Sequence, residues 1–433
     1  MRTAYNSGCD DITVQAKILC QARLVNKPIV RPGNLPLIDL AKGMAIILII
    51  WDHLVEQFFG GAYFFNPEVH WPPISEQIAQ VLAPVGAGAL GIVGALIRDI
   101  GWLGDEGVGL FLVLSGFGLG WGISRAGSFR LWQFLERRLG RIYPMWLTAH
   151  AVIGLPLLIL GRVSLIVLLL SAIGVRFLPQ TYFAIVPAWW YVGLLLQLYL
   201  TVPILVWACR RLGPIGMIVG SVGIGLAVRA VGWHFAGSYI DEWSRGTIFL
   251  TRLPEFAFGF GLAVWSTDSA RFINFVRTPS VFIMAVMAFV FGNALSMAWI
   301  GMIFAPLLCS VGSFLVVCAV LSKVRLPAME WIGKHSYSLY LSHQFTILLF
   351  VRNIHSVSQG VMAVVLAVVT GVFLALVLEL LTSLLQRLFA GTGAVLRPTS
   401  YRNRKVIQNS VPFRSVDCSP DIVVSATDGS KSD

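Results

Sequence analysis

The stretch Ile38–Leu54, IDLAKGMAIILIIWDHL, places two ionisable residues, Lys42 and His53, in an otherwise apolar helix. They stand eleven positions apart. At about 100° per residue that is three turns plus about 20°, so both side chains share one face, roughly 16 Å apart along the axis. Ionisable groups in a membrane-type helix are costly and point to function. The pair therefore predicts a polar track from the helix start toward mid-membrane. Asp52 and Glu56, one turn apart, are assigned to a different face, as interfacial residues at the outer end.

The rest of the chain fits a membrane setting. Of 433 residues, 57% are hydrophobic and 12% charged, against about 25% charged in soluble domains. Fourteen Trp and 42 Gly suit a multi-span helical protein, with aromatics at the interfaces and small residues where helices touch. The predicted fold class is all-α: a polytopic membrane protein with about ten transmembrane helices. Net charge is +11, but Lys and Arg lie mostly between apolar segments. That is topological charge rather than a nucleic-acid surface, so the expected partner is the lipid bilayer and not nucleic acid.

Ten spans are expected, at 38–57, 107–125, 142–161, 189–208, 213–232, 248–266, 279–297, 300–321, 333–351 and 359–386. Each is near the ~20 apolar residues a crossing needs. Ten crossings put both ends on one side. The basic connections Arg125–Arg141, Arg210–Arg211, Arg271–Arg277 and Lys323–Arg325 then all face the cytoplasm. Segments 78–98 and 164–178 are expected to be re-entrant or interfacial. Residues 1–36 read as a basic cytosolic tail without a cleavable signal peptide, residues 37–390 as the membrane domain, and 391–433 as a second cytosolic tail with a disordered end. The six cysteines are scattered, with no zinc spacing, and no metal site is expected.

Five constellations could carry chemistry. A buried neutral imidazole at His53 suits a general base. Arg137, Arg138 and Arg141 in FLERRLGRIYP suit a polyphosphate ligand or anionic lipid. The Gly-rich run 107–122, GVGLFLVLSGFGLGWG, lacks a P-loop lysine and reads as helix packing; Ser115 within it has no base beside it in sequence. Arg252 and Glu255 in RLPEFAFGFG can form an intramembrane ion pair. The stretch 332–344, IGKHSYSLYLSHQ, gives a polar start to an apolar helix, with Tyr337 and His343 within it. His150 and Glu379 lack an obvious partner and are read as structural.

Taken in order, these stretches resemble the integral-membrane acyltransferase type 3 family, whose members include bacterial O-antigen and exopolysaccharide O-acetylases. Members open with a first-helix Arg, ten residues, then His; here Lys42 and His53 hold those places. The family's GVDLFFVLSGF is similar to Gly107–Phe117, with Gly109 in place of the acid. Its RR-x-x-RI-x-P matches Arg137, Arg138, Arg141, Ile142 and Pro144. Its R-x-x-E-x-x-x-G matches Arg252, Glu255 and Gly259, and its late SYSLYL-x-H matches Ser336–Leu341 and His343. The resemblance covers about residues 37–390.

It implies an O-acyltransferase, moving groups other than amino-acyl groups. The expected donor is a cytosolic acyl-CoA, with acetyl-CoA first. The acceptor is a hydroxyl of a glycan or small molecule handled at the membrane. Acyl-CoA would be a co-substrate, with no bound cofactor. The setting implied is a bacterial inner membrane, with both termini cytoplasmic. On this reading Arg137, Arg138 and Arg141 hold donor phosphates, Lys42 sits by the donor's entry, and His53 deprotonates the acceptor hydroxyl or briefly carries the acyl group. Glu255 or His343 orients His53, with Ser115, Arg252 and Tyr337 as accessories. The alternative from another class is a proton-coupled transporter or flippase built on intramembrane His, Lys and Glu.

Overall fold

The first helix, α1 (Pro36–Phe58), holds both Lys42 and His53. Its neighbours approach through glycines. A Cβ on Gly333 would lie 1.7 Å from the Asp39 carbonyl oxygen, and one on Gly107 2.7 Å from that of Ala45. Any side chain at either place would push a neighbour off α1. These contacts fix the rotation of α1, and so where its two ionisable residues point.

The computed structural model describes residues 36–58, 73–83, 88–126, 129–235, 240–266, 268–351 and 357–391. These lie in one compact unit, Met1–Val395. The expected tails, including Cys9, Cys20 and Cys418, lie outside the described residues apart from their inner edges. Among the described residues there is no strand.

After α1 come α2 (Ile74–Leu82) and α3 (Gly88–Trp102), which turns through Leu103–Asp105 into α4 (Glu106–Ala126). Next is α5 (Leu131–Ala149), continued by a π-helical turn His150–Gly154 and α6 (Leu155–Ile159). Two short helices, α7 (Leu165–Ala172) and α8 (Pro179–Tyr182), lead to α9 (Trp190–Phe235). Then follow α10 (Ile240–Arg245), α11 (Leu253–Ser266), α12 (Ser269–Arg277), α13 (Pro279–Ser296) and α14 (Ala305–Leu321). The chain closes with α15 (Pro327–Lys334), α16 (Ser336–Phe350) and α17 (Val357–Gly391).

Among the described residues, five helices are long and apolar enough to cross a membrane: Gly91–Ala126, Leu131–Ile159, Pro187–Phe235, Pro279–Ser296 and Gln359–Leu388. The protein is all-α and polytopic. Helix α9 has 46 residues, about 69 Å, more than twice a ~30 Å hydrocarbon core. It breaks at Gly213, φ 75° and ψ 170°, where Pro214 excludes helical backbone from the residue before it. The two arms match the expected spans 189–208 and 213–232, with the exposed Arg210 and Arg211 at the break. Helix α1 is 23 residues long but carries Asp39, Lys42, Asp52 and Glu56. Helices α11, α14 and α16, at 14, 17 and 15 residues, lie within three more expected spans.

The two awkward segments resolve differently. In 164–178 the helix α7 has eight residues, about 12 Å, too short to cross. In 78–98 the second half is not a separate re-entrant piece. It forms α3, which continues into α4, so that Gly91–Ala126 makes a 36-residue helical run. Helix α4 is pressed against α11 by glycine: a Cβ on Gly116 would sit 1.9 Å from the Phe256 carbonyl oxygen, and one on Gly259 2.0 Å from that of Val113. The Gly-rich run thus packs helices, as expected.

Candidate active site

The inner half of α1 forms a basic mouth. Lys42 Nζ is 3.1 Å from Asp39 Oδ1, one turn back on the same helix. The positive charges of Arg138 and Arg141 on α5 reach this ammonium. They also act on the Tyr199 hydroxyl of α9. Tyr337 joins from α16, its hydroxyl donating to the Ile142 carbonyl at 3.2 Å. Lys42 is half-neutralised by Asp39, so the two arginines carry most of the free positive charge here. Arg137 points elsewhere: it is exposed and its Nε donates to the Gln133 carbonyl of its own helix at 2.8 Å.

His53 sits on the same helix, three turns further on. Its Nδ1 is 3.1 Å from Glu56 Oε2 and 3.7 Å from Asp52 Oδ2. The assignment of Glu56 to another face is corrected: three residues turn a helix by about 300°, only ~60° off, so residues i and i+3 are neighbours, whereas Asp52, the preceding residue, stands about 100° round the helix. With Nδ1–H donating to Glu56, the lone pair of the neutral ring lies on Nε2. The His343 ring of α16 stacks on that of His53, centroids 5.3 Å apart and planes at 24°. Gln344 Nε2 is 3.5 Å from His53 Nδ1. The charge of Arg245 on α10 also reaches His53 and Glu56.

The polar track along α1 is not continuous. Ile46 and Ile49 occupy the same face between Lys42 and His53, and both are buried. Polar groups instead extend sideways from His53. His343 Nδ1 bonds the Tyr340 carbonyl at 2.8 Å. Tyr340 stacks edge-on to Tyr191 at 5.5 Å, whose hydroxyl is 3.4 Å from Ser115 Oγ. Among the described residues, Ser115 therefore has a tyrosine beside it and no imidazole in hydrogen-bond contact.

Glu255 does not join His53. Its carboxylate is buried, bonded to Arg229 of α9 and 3.8 Å from Arg252. Arg229 also bonds the carbonyls of Thr251 and Ile303, at 2.7 and 3.1 Å. The expected pair Arg252–Glu255 is thus the weaker half of a triad centred on Glu255. The carboxylate that orients His53 is Glu56, and His343 touches His53 by stacking rather than by a hydrogen bond.

Two residues read as partnerless have partners. His150 Nε2 is 2.9 Å from Ser171 Oγ. Glu379 accepts from Ser338 Oγ at 2.6 Å and lies 2.8 Å from His335 Nδ1. Gly109, where the resemblance expects an acid, leaves no space: its Cβ would meet Ser310 Oγ at 2.0 Å.

A family model described as an acyltransferase domain, of type 3, matches residues 35–380. The chain belongs to this acyltransferase family and is an enzyme that transfers acyl groups. Searches of curated proteins and of solved structures return no significant match.

Proposed function

We propose that this membrane acyltransferase moves an acyl group, acetyl first, from a cytosolic acyl-CoA to a hydroxyl of a glycan or other acceptor handled at the membrane. One observation carries the reading: α1 bears Lys42 near one end, within electrostatic reach of Arg138 and Arg141 on α5, and the His53–Glu56 pair near the other. An acyl-CoA has the matching layout, with phosphates at one end of a long flexible arm and the thioester at the other. Arginines bind phosphate through parallel charge-assisted hydrogen bonds. The apolar Ile46 and Ile49 between the two ends suit the arm, which carries no charge.

The chemistry assigned to His53 is general base catalysis. Nε2 takes the proton of the acceptor hydroxyl as its oxygen attacks the thioester carbonyl. The tetrahedral adduct collapses, breaking the carbon–sulfur bond and forming the ester. The departing thiolate takes the proton back from Nε2. Glu56 holds the ring in the required tautomer and balances its transient charge. The positive connections between spans orient the arginine mouth toward the cytoplasm of a bacterial inner membrane, with both termini on that side.

The test is transfer of label from radiolabelled acyl-CoA in membranes holding the full chain. Wild-type membranes are expected to label a glycan or lipid fraction and His53→Ala membranes to label none. Full labelling by His53→Ala would sink the mechanism.

A further inference from the structure

Arg176, in the loop after α7, is 1% exposed. A buried cation is costly without a counter-ion, yet its hydrogen bonds are all to neutral groups. They run to Ser171 Oγ at 2.7 Å and to the carbonyls of Tyr182, Ala184 and Val186 at 2.8, 2.9 and 3.2 Å. Three carbonyls within five residues converge on one guanidinium. At their centre is Ile185 with φ +67°, a left-handed conformation that a β-branched side chain avoids. Such backbone persists only where its surroundings hold it. Here the holder is Arg176, which draws in the carbonyls on both sides of Ile185.

The held loop is wired to the catalytic centre. The Ala188 carbonyl accepts from the Tyr340 hydroxyl, and the Ala188 N–H donates to Gln344 Oε1. Trp189 Nε1 donates to the Leu341 carbonyl at 3.0 Å. All three bonds land on the turn of α16 that bears His343, whose ring stacks on His53. His343 is 3% exposed, and with Nδ1 bonded to the Tyr340 carbonyl its Nε2 is buried without a partner among the described residues.

We propose that Arg176 is a positioning residue: by clamping the loop around Ile185 it fixes the His343–Gln344 turn against His53 during acyl transfer. The proposal rests on the reading of His53 as the catalytic base. In Arg176 one nitrogen, Nη1, holds Ser171 while the other, Nη2, holds the three carbonyls; Arg176→Lys keeps the charge but offers one nitrogen, which cannot hold both sides at once. A misplacement of about 1 Å costs on the order of 100-fold in rate, so kcat should fall by about that much. KM for acyl-CoA should be unchanged, because the donor mouth makes no use of this loop.

Adding Ile185→Gly removes the reason for the loop to leave its conformation, since glycine adopts positive φ freely. The double variant R176K/I185G should regain about tenfold of the lost kcat, one decade of the two. A purely structural arginine would not show this kinetic rescue at wild-type KM. Wild-type kcat in Arg176→Lys overturns the proposal, as does a loss that Ile185→Gly leaves unrelieved. If Arg176→Lys does not reach the membrane, Tyr340→Phe removes only the hydroxyl bond to Ala188. It should lower kcat about tenfold at constant KM, a fraction of the cost of a full misplacement, and wild-type kcat there overturns the proposal equally. Full activity in His53→Ala means the underlying mechanism has failed. An inactive His53→Ala beside a fully active Arg176→Lys means that this inference alone has failed.

Discussion

The two ends of α1 treat charge in opposite ways. At the mouth, Arg141 is exposed, Arg138 is half-buried, and Lys42 shares its charge with Asp39. Around His53 the groups have defined contacts: Glu56 at 3.1 Å, Gln344 at 3.5 Å, Asp52 at 3.7 Å and the stacked His343. Solvent weakens charge at the first end and burial strengthens it at the second. The mouth can therefore grip a polyanion through several replaceable cations. The interior depends on single atoms.

Substitutions should separate these two regimes. The largest effect belongs to His53→Gln, which keeps a polar group and removes the base. Loss of a general base costs about 10²–10⁴-fold, and kcat for acyl transfer should fall by the full ~10⁴-fold of that range. A residual rate within tenfold of wild type would remove His53 from the chemistry. Glu56→Gln comes next. Its side chain is 39% exposed, so solvent takes over part of its role. We expect about a 100-fold fall in kcat, less than the ~10⁴-fold cost of the equivalent change in a buried serine-protease triad. Steady-state kinetics on purified protein in nanodiscs would read both.

Changes at the mouth should move KM instead. Arg138→Ala removes one charge-assisted contact to donor phosphate, worth about 1.5–3 kcal/mol. KM for acyl-CoA should rise at least about tenfold while kcat holds. The smallest effect is expected at Arg137, which is exposed and bonded back to its own helix. Exposed charges contribute about 0–1 kcal/mol, so Arg137→Ala should change KM by no more than about fivefold. An Arg137 effect exceeding that of Arg138 would mean that the donor lies on the other face of α5.

The sequence made the skeleton of this comparison readable. Apolar lengths located the helices, because crossing a bilayer sets their minimum span. Lys42 and His53 stood out because charge inside such a helix is costly. Glu56 was also within reach, since a three-residue step leaves side chains adjacent, but its place near the helix end favoured an interfacial reading. Contacts between distant segments left weaker traces. Arg229 pairs with Glu255 across 26 positions, and its only signal was a lone arginine inside the apolar stretch 213–232. Arg176 was similarly isolated at the end of 164–178. The left-handed backbone at Ile185 left no signal, because it arises from packing around a residue that avoids it.

The central claim is that donor binding and acyl transfer occupy opposite ends of α1. Equilibrium binding of labelled acyl-CoA to purified His53→Gln tests it most directly. The account predicts wild-type affinity together with no transfer. Loss of binding in this variant, or transfer without the imidazole, would contradict it.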